Sequence, residues 1–386
     1  MTTPKIATPK IPTSPVPPSE LATRISPVAG FTLAAFMAVG LVSCAWLFGS
    51  GKVEWLPPNI NTDDVLHGDV THKIAKQLSG AALAQQAANL ERAASWLVFN
   101  DTGPRVRQGC PGWLFIADEL KINRFAQANA DTKAQAVIDL QQQLAKRGVK
   151  LLVAVVPDKS RIATEQLCGV TRPGQLQNRV SNWTAALHSK GINALDLTST
   201  LQPLGAAAYL RTDTHWSEKG ADAAAKAVAA QVSASGMQAT PQKSFDVRNA
   251  PLAPRPGDLV RLAGINWLPV ALQPAPESVA ATEITERAQA VQGGGDDLDD
   301  LFGDDNLPNV ALIGTSFSRN SNFAGFLQLA LGAPIGNFGK DGGEFSGAAN
   351  AYFDSPAFKQ TPPKLLIWEI PERDLQTPYV VIKSGM

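Results

Sequence analysis

Four histidines occur in the 386-residue chain, and one lies in the stretch RTDTHWSEKG, residues 211–220, two positions after Asp213. A histidine so placed can serve as a catalytic base, a metal ligand or an ordinary loop residue. Ser217 is suited to cap the long Ala-rich helix that follows, so Asp213 and His215 fall in the loop before it, where both side chains can turn into a shared site. Further along, ALIGTSFSRNSNF (residues 311–323) carries an apolar strand through Gly314 to Ser316, with a helix expected from about Asn320 or Ser321. A serine at the carboxyl end of a strand and near a helix N-terminus sits where developing negative charge is favoured. A serine hydroxyl is a weak nucleophile until a base, oriented by a third group, takes its proton. Asp213 accepting from Nδ1 of His215 would leave Nε2 free to face Ser316.

The other candidates carry weaker arguments. His67 and His72 are five apart, which does not align two ligands on one helix face, and His188 falls near a helix end where it can bind carbonyls. No second ligand follows His215 at useful spacing and no C-x-x-C occurs, so no metal site is expected. The Asn322 amide can donate to an oxyanion or cap a helix. Arg211 and Arg319 can meet a charged ligand or solvate a loop, and Tyr209 and Trp216 can stack on the rings of a ligand or be partly buried. The acidic run GGGDDLDDLFGDD, residues 293–305, lacks a calcium repeat and reads as a solvated loop. In IWEIPER, Glu369 and Arg373 are expected to be structural. Of three cysteines, Cys44 falls in the apolar N-terminal run; Cys110 and Cys168 are either an exported disulfide or two separate thiols.

These residues need a scaffold. Lys plus Arg equal Asp plus Glu at 34 each, which offers no general attraction to nucleic acid, and 44% hydrophobic residues can bury a substantial core. KLLVAVVP, INALDL, NVALIGTSFS and KLLIWEIPER read as strands covered on both sides. They alternate with a helix opening near Asp131 and stopping at Gly148, and with one presenting Leu176, Val180, Trp183 and Leu187 on one face. This alternation predicts a parallel α/β sheet. From about Pro241 to Gly295 the pattern fades into Pro-rich loops, expected to be an irregular or inserted segment.

Residues 1–26 read as a disordered cytoplasmic tail and 27–50 as a transmembrane anchor, about 20 apolar residues being enough for one crossing. Lys5, Lys10 and Arg24 against Glu20 place the tail in the cytoplasm and the body outside. A cleaved signal peptide, or a lipoprotein box LVSC ending at Cys44, are the alternatives. Residues 51–108 are expected to be a helical stalk and 109–386 the catalytic domain.

Taken together, GWLFIADEL, VAVVPDKSRI, DTHWSEKGA, DDLFGDD, LIGTSFS with NFAGFL, and LIWEIPER resemble, in the same order, the alginate O-acetyltransferase family of SGNH-hydrolase-like proteins. The resemblance covers roughly residues 60–375. It implies a three-layer α/β/α, flavodoxin-like domain in the periplasm, acetylating hydroxyls of an exopolysaccharide without a cofactor. It implies Ser316 as nucleophile, His215 as base and Asp213 as its partner, with Asp-x-His preceding the serine, the reverse of SGNH esterases. A membrane-bound O-acyltransferase supplying acetyl groups, within a polysaccharide synthesis and export complex at the bacterial inner membrane, is the implied partner. A carbohydrate esterase with the same three residues, or a noncatalytic polysaccharide-binding subunit, remain the alternatives.

Overall fold

The computed structural model describes residues 26–53, 60–287 and 307–382; the Pro-rich tail to residue 25 and the acidic run at 293–305, with its DDLFGDD motif, lie outside the described residues. The chain divides into two compact units between Ala88 and Asn89. In the first, helix Pro27–Gly49 opens with Ser26 accepting the Ala29 N–H, and Pro27 occupies the first turn, where a missing N–H costs nothing. It is 23 residues long with a mean hydropathy of 2.1 over its most apolar window, sufficient to cross a bilayer core. Helices Thr62–Leu66 and Asp69–Ser79 follow, the first begun by a capping box between Asn61 and Asp64.

The second unit starts earlier than residue 109, the expected boundary. The last turns of helix Ala82–Phe99 supply Ala93 and Trp96 to a small core with Val106, Leu114, Leu259 and Ile265, so residues 89–108 belong to the body. β1 (Val106–Gln108) and β2 (Leu114–Ile116) form an antiparallel hairpin in that core.

The central sheet holds β3 (Lys150–Val156), β4 (Asn193–Asp196), β7 (Val310–Ile313), β8 (Gly336–Asn337) and β9 (Leu365–Pro371), in the order β4-β3-β9-β7-β8 and parallel throughout. Side chains alternate across it. Leu151, Val153, Val155, Leu366, Trp368 and Ile370 face helices Ala126–Lys146, Arg179–His188 and Gly347–Phe353. Leu152, Ala154, Leu312, Leu365 and Ile367 face helices Glu218–Ala234 and Phe323–Leu331. Both faces are therefore dry, which is why the strands read as continuous apolar runs, and the fold is three-layered α/β/α. The helix expected near Asp131 begins at Ala126 and ends at Lys146; Gly148, at φ 71°, takes the left-handed position beyond its end.

The region expected to be irregular or inserted contains a long two-stranded antiparallel ribbon separate from the central sheet, β5 (Phe245–Arg255) with β6 (Glu277–Glu286), and a short helix, Asp258–Leu262. Its register shifts between Asn249 and Leu252. A ribbon largely open to solvent has no buried face to impose a period of two, and Pro251 and Pro254 in β5 speak against a central strand.

The chain leaves β3 toward β4 and leaves β7 in the opposite direction toward β8, with β9 between them. In open α/β sheets the carboxyl edge at such a reversal of strand order is the general place for a ligand site.

Candidate active site

Ser316 begins a 3₁₀ turn, Ser316–Ser318, directly beyond β7. Its neighbours fasten that turn to the strand beside it. Glu369, buried in β9, accepts the Thr315 N–H at 2.7 Å and the hydroxyls of Thr315 and Ser318 at 3.0 Å each. Burial pushes the Glu369 carboxyl up to about 7 although these hydrogen bonds pull the other way. Gly314 is required by the same packing: a Cβ there would lie 2.5 Å from Glu369 Oε2 and 2.6 Å from Ser318 Oγ.

The histidine loop is closed by a bridge between Tyr209 and Trp216, and Leu210 N–H donates to the His215 carbonyl at 3.2 Å. Ser217 accepts the Gly220 N–H at 3.2 Å and starts helix Glu218–Ala234. Lys159, just past β3 and buried, donates to the carbonyls of Leu114, Arg211 and Asp213 at 2.6, 2.8 and 3.1 Å. Burial pulls this ammonium down to about 8 against the surrounding carboxylates. Beside it, Asp158 and Glu372 share a buried ionic cluster with Arg161, Arg172 and Arg179 that joins the carboxyl ends of β3 and β9.

The two loops meet. His215 Nε2 lies 2.7 Å from Ser316 Oγ, and Nδ1 lies 2.6 Å from Asp213 Oδ1, which also accepts the His215 backbone N–H at 2.9 Å. Burial pushes the Asp213 carboxyl up, but the His215 hydrogen bonds and charge, helped by Arg255, win and hold it at about 2. The Phe317 ring, 5.0 Å from the imidazole, closes its flank. A hydroxyl, an imidazole and a carboxylate in this chain can move a proton from serine to histidine while the carboxylate stabilises the imidazolium.

A second carboxylate adjoins the first. Asp258, at the start of the short helix after β5, accepts the Thr214 N–H at 2.7 Å and its hydroxyl at 2.6 Å, and its Oδ2 is 3.7 Å from His215 Nδ1. Arg255 Nη2 sits 3.8 Å from Asp213 Oδ2 and donates to Asn320 Oδ1 at 3.1 Å. Asp213, His215 and Asp258 bring one potential metal-ligating atom each within 4.8 Å of one another. Their close contacts are already bridged by donors: Nδ1 to Asp213, and the Thr214 N–H and O–H to Asp258.

The remaining expected site residues are elsewhere engaged. The Asn322 amide donates to the Thr282 carbonyl of β6 at 2.7 Å, tying helix Phe323–Leu331 to the ribbon, and gives no cap hydrogen bond. Tyr209 is buried and donates to the Pro157 carbonyl; Trp216 is fully buried against Phe317 and Phe323. Neither ring is open to stack on a sugar, because each covers the core beneath the histidine loop. Arg211 is half exposed, 3.6 Å from Glu277, and Arg319 is exposed beside Asp341. His188 Nε2 meets the Ala194 carbonyl of β4 at 2.6 Å. Cys110 and Cys168 are joined by a disulfide. Asp258, Arg255 and Lys159 escaped the sequence reading. The only local sign for Asp258 was an acidic residue opening a short apolar run after Gly257.

Residues 106–372 match the family model described as SGNH hydrolase-like domain, acetyltransferase AlgX. The chain is 35% identical over 294 residues to the probable alginate O-acetylase AlgJ of Pseudomonas aeruginosa, covering 74% of each chain. It is 32% identical to the alginate biosynthesis protein AlgX of Pseudomonas putida, over 67% of this chain and 54% of that protein. Among solved structures, the O-acetyltransferase domain of Pseudomonas putida AlgJ superposes with a TM-score of 0.61 at 28% identity, covering 72% of this chain and 95% of that domain.

Proposed function

The chain belongs to the AlgX family of SGNH-hydrolase-like acetyltransferases, and from that membership we propose that it acetylates hydroxyls of an exopolysaccharide through an acetyl-Ser316 intermediate. The observation that carries this reading is the continuous contact from Ser316 Oγ through the imidazole of His215 to Asp213, at 2.7 and 2.6 Å. Nε2 of His215 takes the hydroxyl proton as Oγ attacks the acetyl carbonyl of the donor. Collapse of the tetrahedral adduct expels the donor's leaving group, which receives that proton from His215. A sugar hydroxyl then gives its proton to His215 and attacks the acetyl-serine carbonyl. Ser316 leaves and recovers the proton. The Ser316 backbone N–H, first in its 3₁₀ turn, is the donor assigned to the developing oxyanion. This route needs no metal or organic cofactor.

Helix Pro27–Gly49 is assigned to anchor the body on the periplasmic side of a bacterial inner membrane, as a single pass. There a membrane-bound O-acyltransferase would present acetyl groups, within a complex that makes and exports the polymer. Alginate, which appears in the names of the relatives, is the first acceptor to try.

The test uses the full chain in detergent, an activated acetyl ester and candidate oligosaccharides, with products read by mass spectrometry. Acetylated sugar is the expected product. Acetate alone would make the protein an esterase, and full activity in Ser316→Ala would overturn the mechanism. A loss of about 10⁴-fold or more is expected for that substitution.

A further inference from the structure

We propose that Asp258 is a second carboxylate of the acid–base relay, a positioning residue that acts through Thr214 and directly on Nδ1 to hold the His215 imidazole toward Ser316. The inference rests on Ser316 and His215 doing the chemistry proposed above.

Two features make this contact a built one. Gly257, immediately before Asp258, is pressed against the histidine loop so closely that a Cβ would fall 1.8 Å from the Thr212 carbonyl oxygen. From the other side, the Leu259 N–H donates to that same carbonyl at 3.2 Å. The segment from the end of β5 into helix Asp258–Leu262 is thus docked on the loop residue by residue, with Asp258 facing Thr214 and His215.

The division of labour follows from the partners. Asp213 Oδ1 receives both N–H groups of His215, and its Oδ2 looks toward Arg255. Asp258 receives both donors of Thr214, whose hydroxyl oxygen stands 3.3 Å from Nδ1. The Thr214 hydroxyl therefore donates to Asp258 and turns its lone pairs to the imidazole N–H. With one carboxylate at 2.6 Å and another at 3.7 Å, Nδ1 has an acceptor on either side of a small ring rotation. Burial, with the adjacent Asp213 charge, pushes the Asp258 carboxyl up, whereas Asp213 is held at about 2, so Asp258 is the more basic of the two. When Nδ1 becomes part of an imidazolium, both carboxylates stabilise it.

The experiment measures acetyl release from an activated acetyl ester by the full chain and its variants, with melting temperature recorded for each. Asp258→Asn is expected to lower kcat on the order of tenfold to a hundredfold with KM unchanged. Asp213→Ala should keep activity on the order of tenfold above the Asp213→Ala/Asp258→Asn double variant, because Nδ1 can turn to the remaining carboxylate. A merely structural Asp258 would instead lower the melting temperature and affect KM and kcat together. Unchanged kcat in Asp258→Asn, or equal activity of the single and double variants, overturns the proposal. If Asp258→Asn does not fold, Thr214→Val tests the same relay: a fall in kcat of about tenfold supports it and wild-type kcat overturns it. Ser316→Ala separates the two levels. An active Ser316→Ala refutes the underlying reading, and an inactive one beside a fully active Asp258→Asn refutes this inference alone.

Discussion

At the residue scale, the turn that carries the candidate nucleophile Ser316 is held by a buried carboxylate bonded to its neighbours on either side. Glu369 gathers three donors from Thr315 and Ser318 and stays in a dry site. Its carboxyl is raised from 4.5 to about 7, so the folded chain binds that proton more tightly than the unfolded chain. This contribution to stability is full below about pH 4.5 and is lost as pH rises through about 7, on the order of 3 kcal/mol in all. Glu119, raised to about 7 chiefly by burial and then by Asp158, acts in the same direction. Asp213 acts oppositely, losing its contribution only as pH falls toward about 2. Melting curves at about pH 5 and about pH 8 should therefore show a smaller loss of stability on raising the pH in Glu369→Gln than in the unaltered chain. Equal slopes would mean that Glu369 does not titrate there. The sequence marks the strand of Glu369 and a structural role for it; that it lies under the serine turn depends on β9 pairing with β7, where Ile313 is opposite Trp368.

At the element scale, the site is held by segments that come from distant parts of the chain. The β1–β2 hairpin contributes the Leu114 carbonyl to Lys159, and the disulfide from Cys110 to Cys168 ties the turn of that hairpin to the loop after β3. Backbone contacts reinforce the bridge: the Cys110 N–H donates to Gln166 at 2.8 Å, and a Cβ on Gly109 would lie 2.2 Å from the same carbonyl. Closing a loop of sequence separation 58 restricts the unfolded chain by roughly 4 kcal/mol in the chain-entropy account. Replacing both cysteines by serine should lower the denaturant midpoint correspondingly, and an unchanged midpoint would remove the bridge from the list of stabilising elements. Cysteine count and compartment left the pair open; only the approach of the hairpin to the β3 loop decides it. The β5–β6 ribbon was hidden for a related reason. Its strands bury no continuous face, so their order comes from each other and from contacts such as Asn322 to Thr282 and Glu218 to Thr282.

At the scale of the whole molecule, the chain joins an apolar helix to a body that carries the candidate site at the carboxyl edge of its parallel sheet. Helix Pro27–Gly49 carries no charge and is apolar around its whole circumference, as a lipid-facing helix is. The full chain should stay with membranes through an alkaline wash and retain residues 27–49 by mass spectrometry, whereas a chain lacking residues 1–50 should be released. Loss of those residues from the mature protein would instead mark a signal sequence.

The sequence by itself determined the parallel strands, the helix faces, the apolar N-terminal segment and the residue types that could form a serine, histidine and aspartate relay. These are recorded in near neighbours, through periods of 2 and 3.6 and through caps. Only the tertiary structure decided that Tyr209 and Trp216 are core, that Asn322 serves the ribbon, and that Asp258 stands beside His215. Those outcomes depend on strand order and on which loops converge at one sheet edge. Such long-range contacts leave no periodic trace, so a Pro-rich stretch could conceal the residue that presses against the histidine loop.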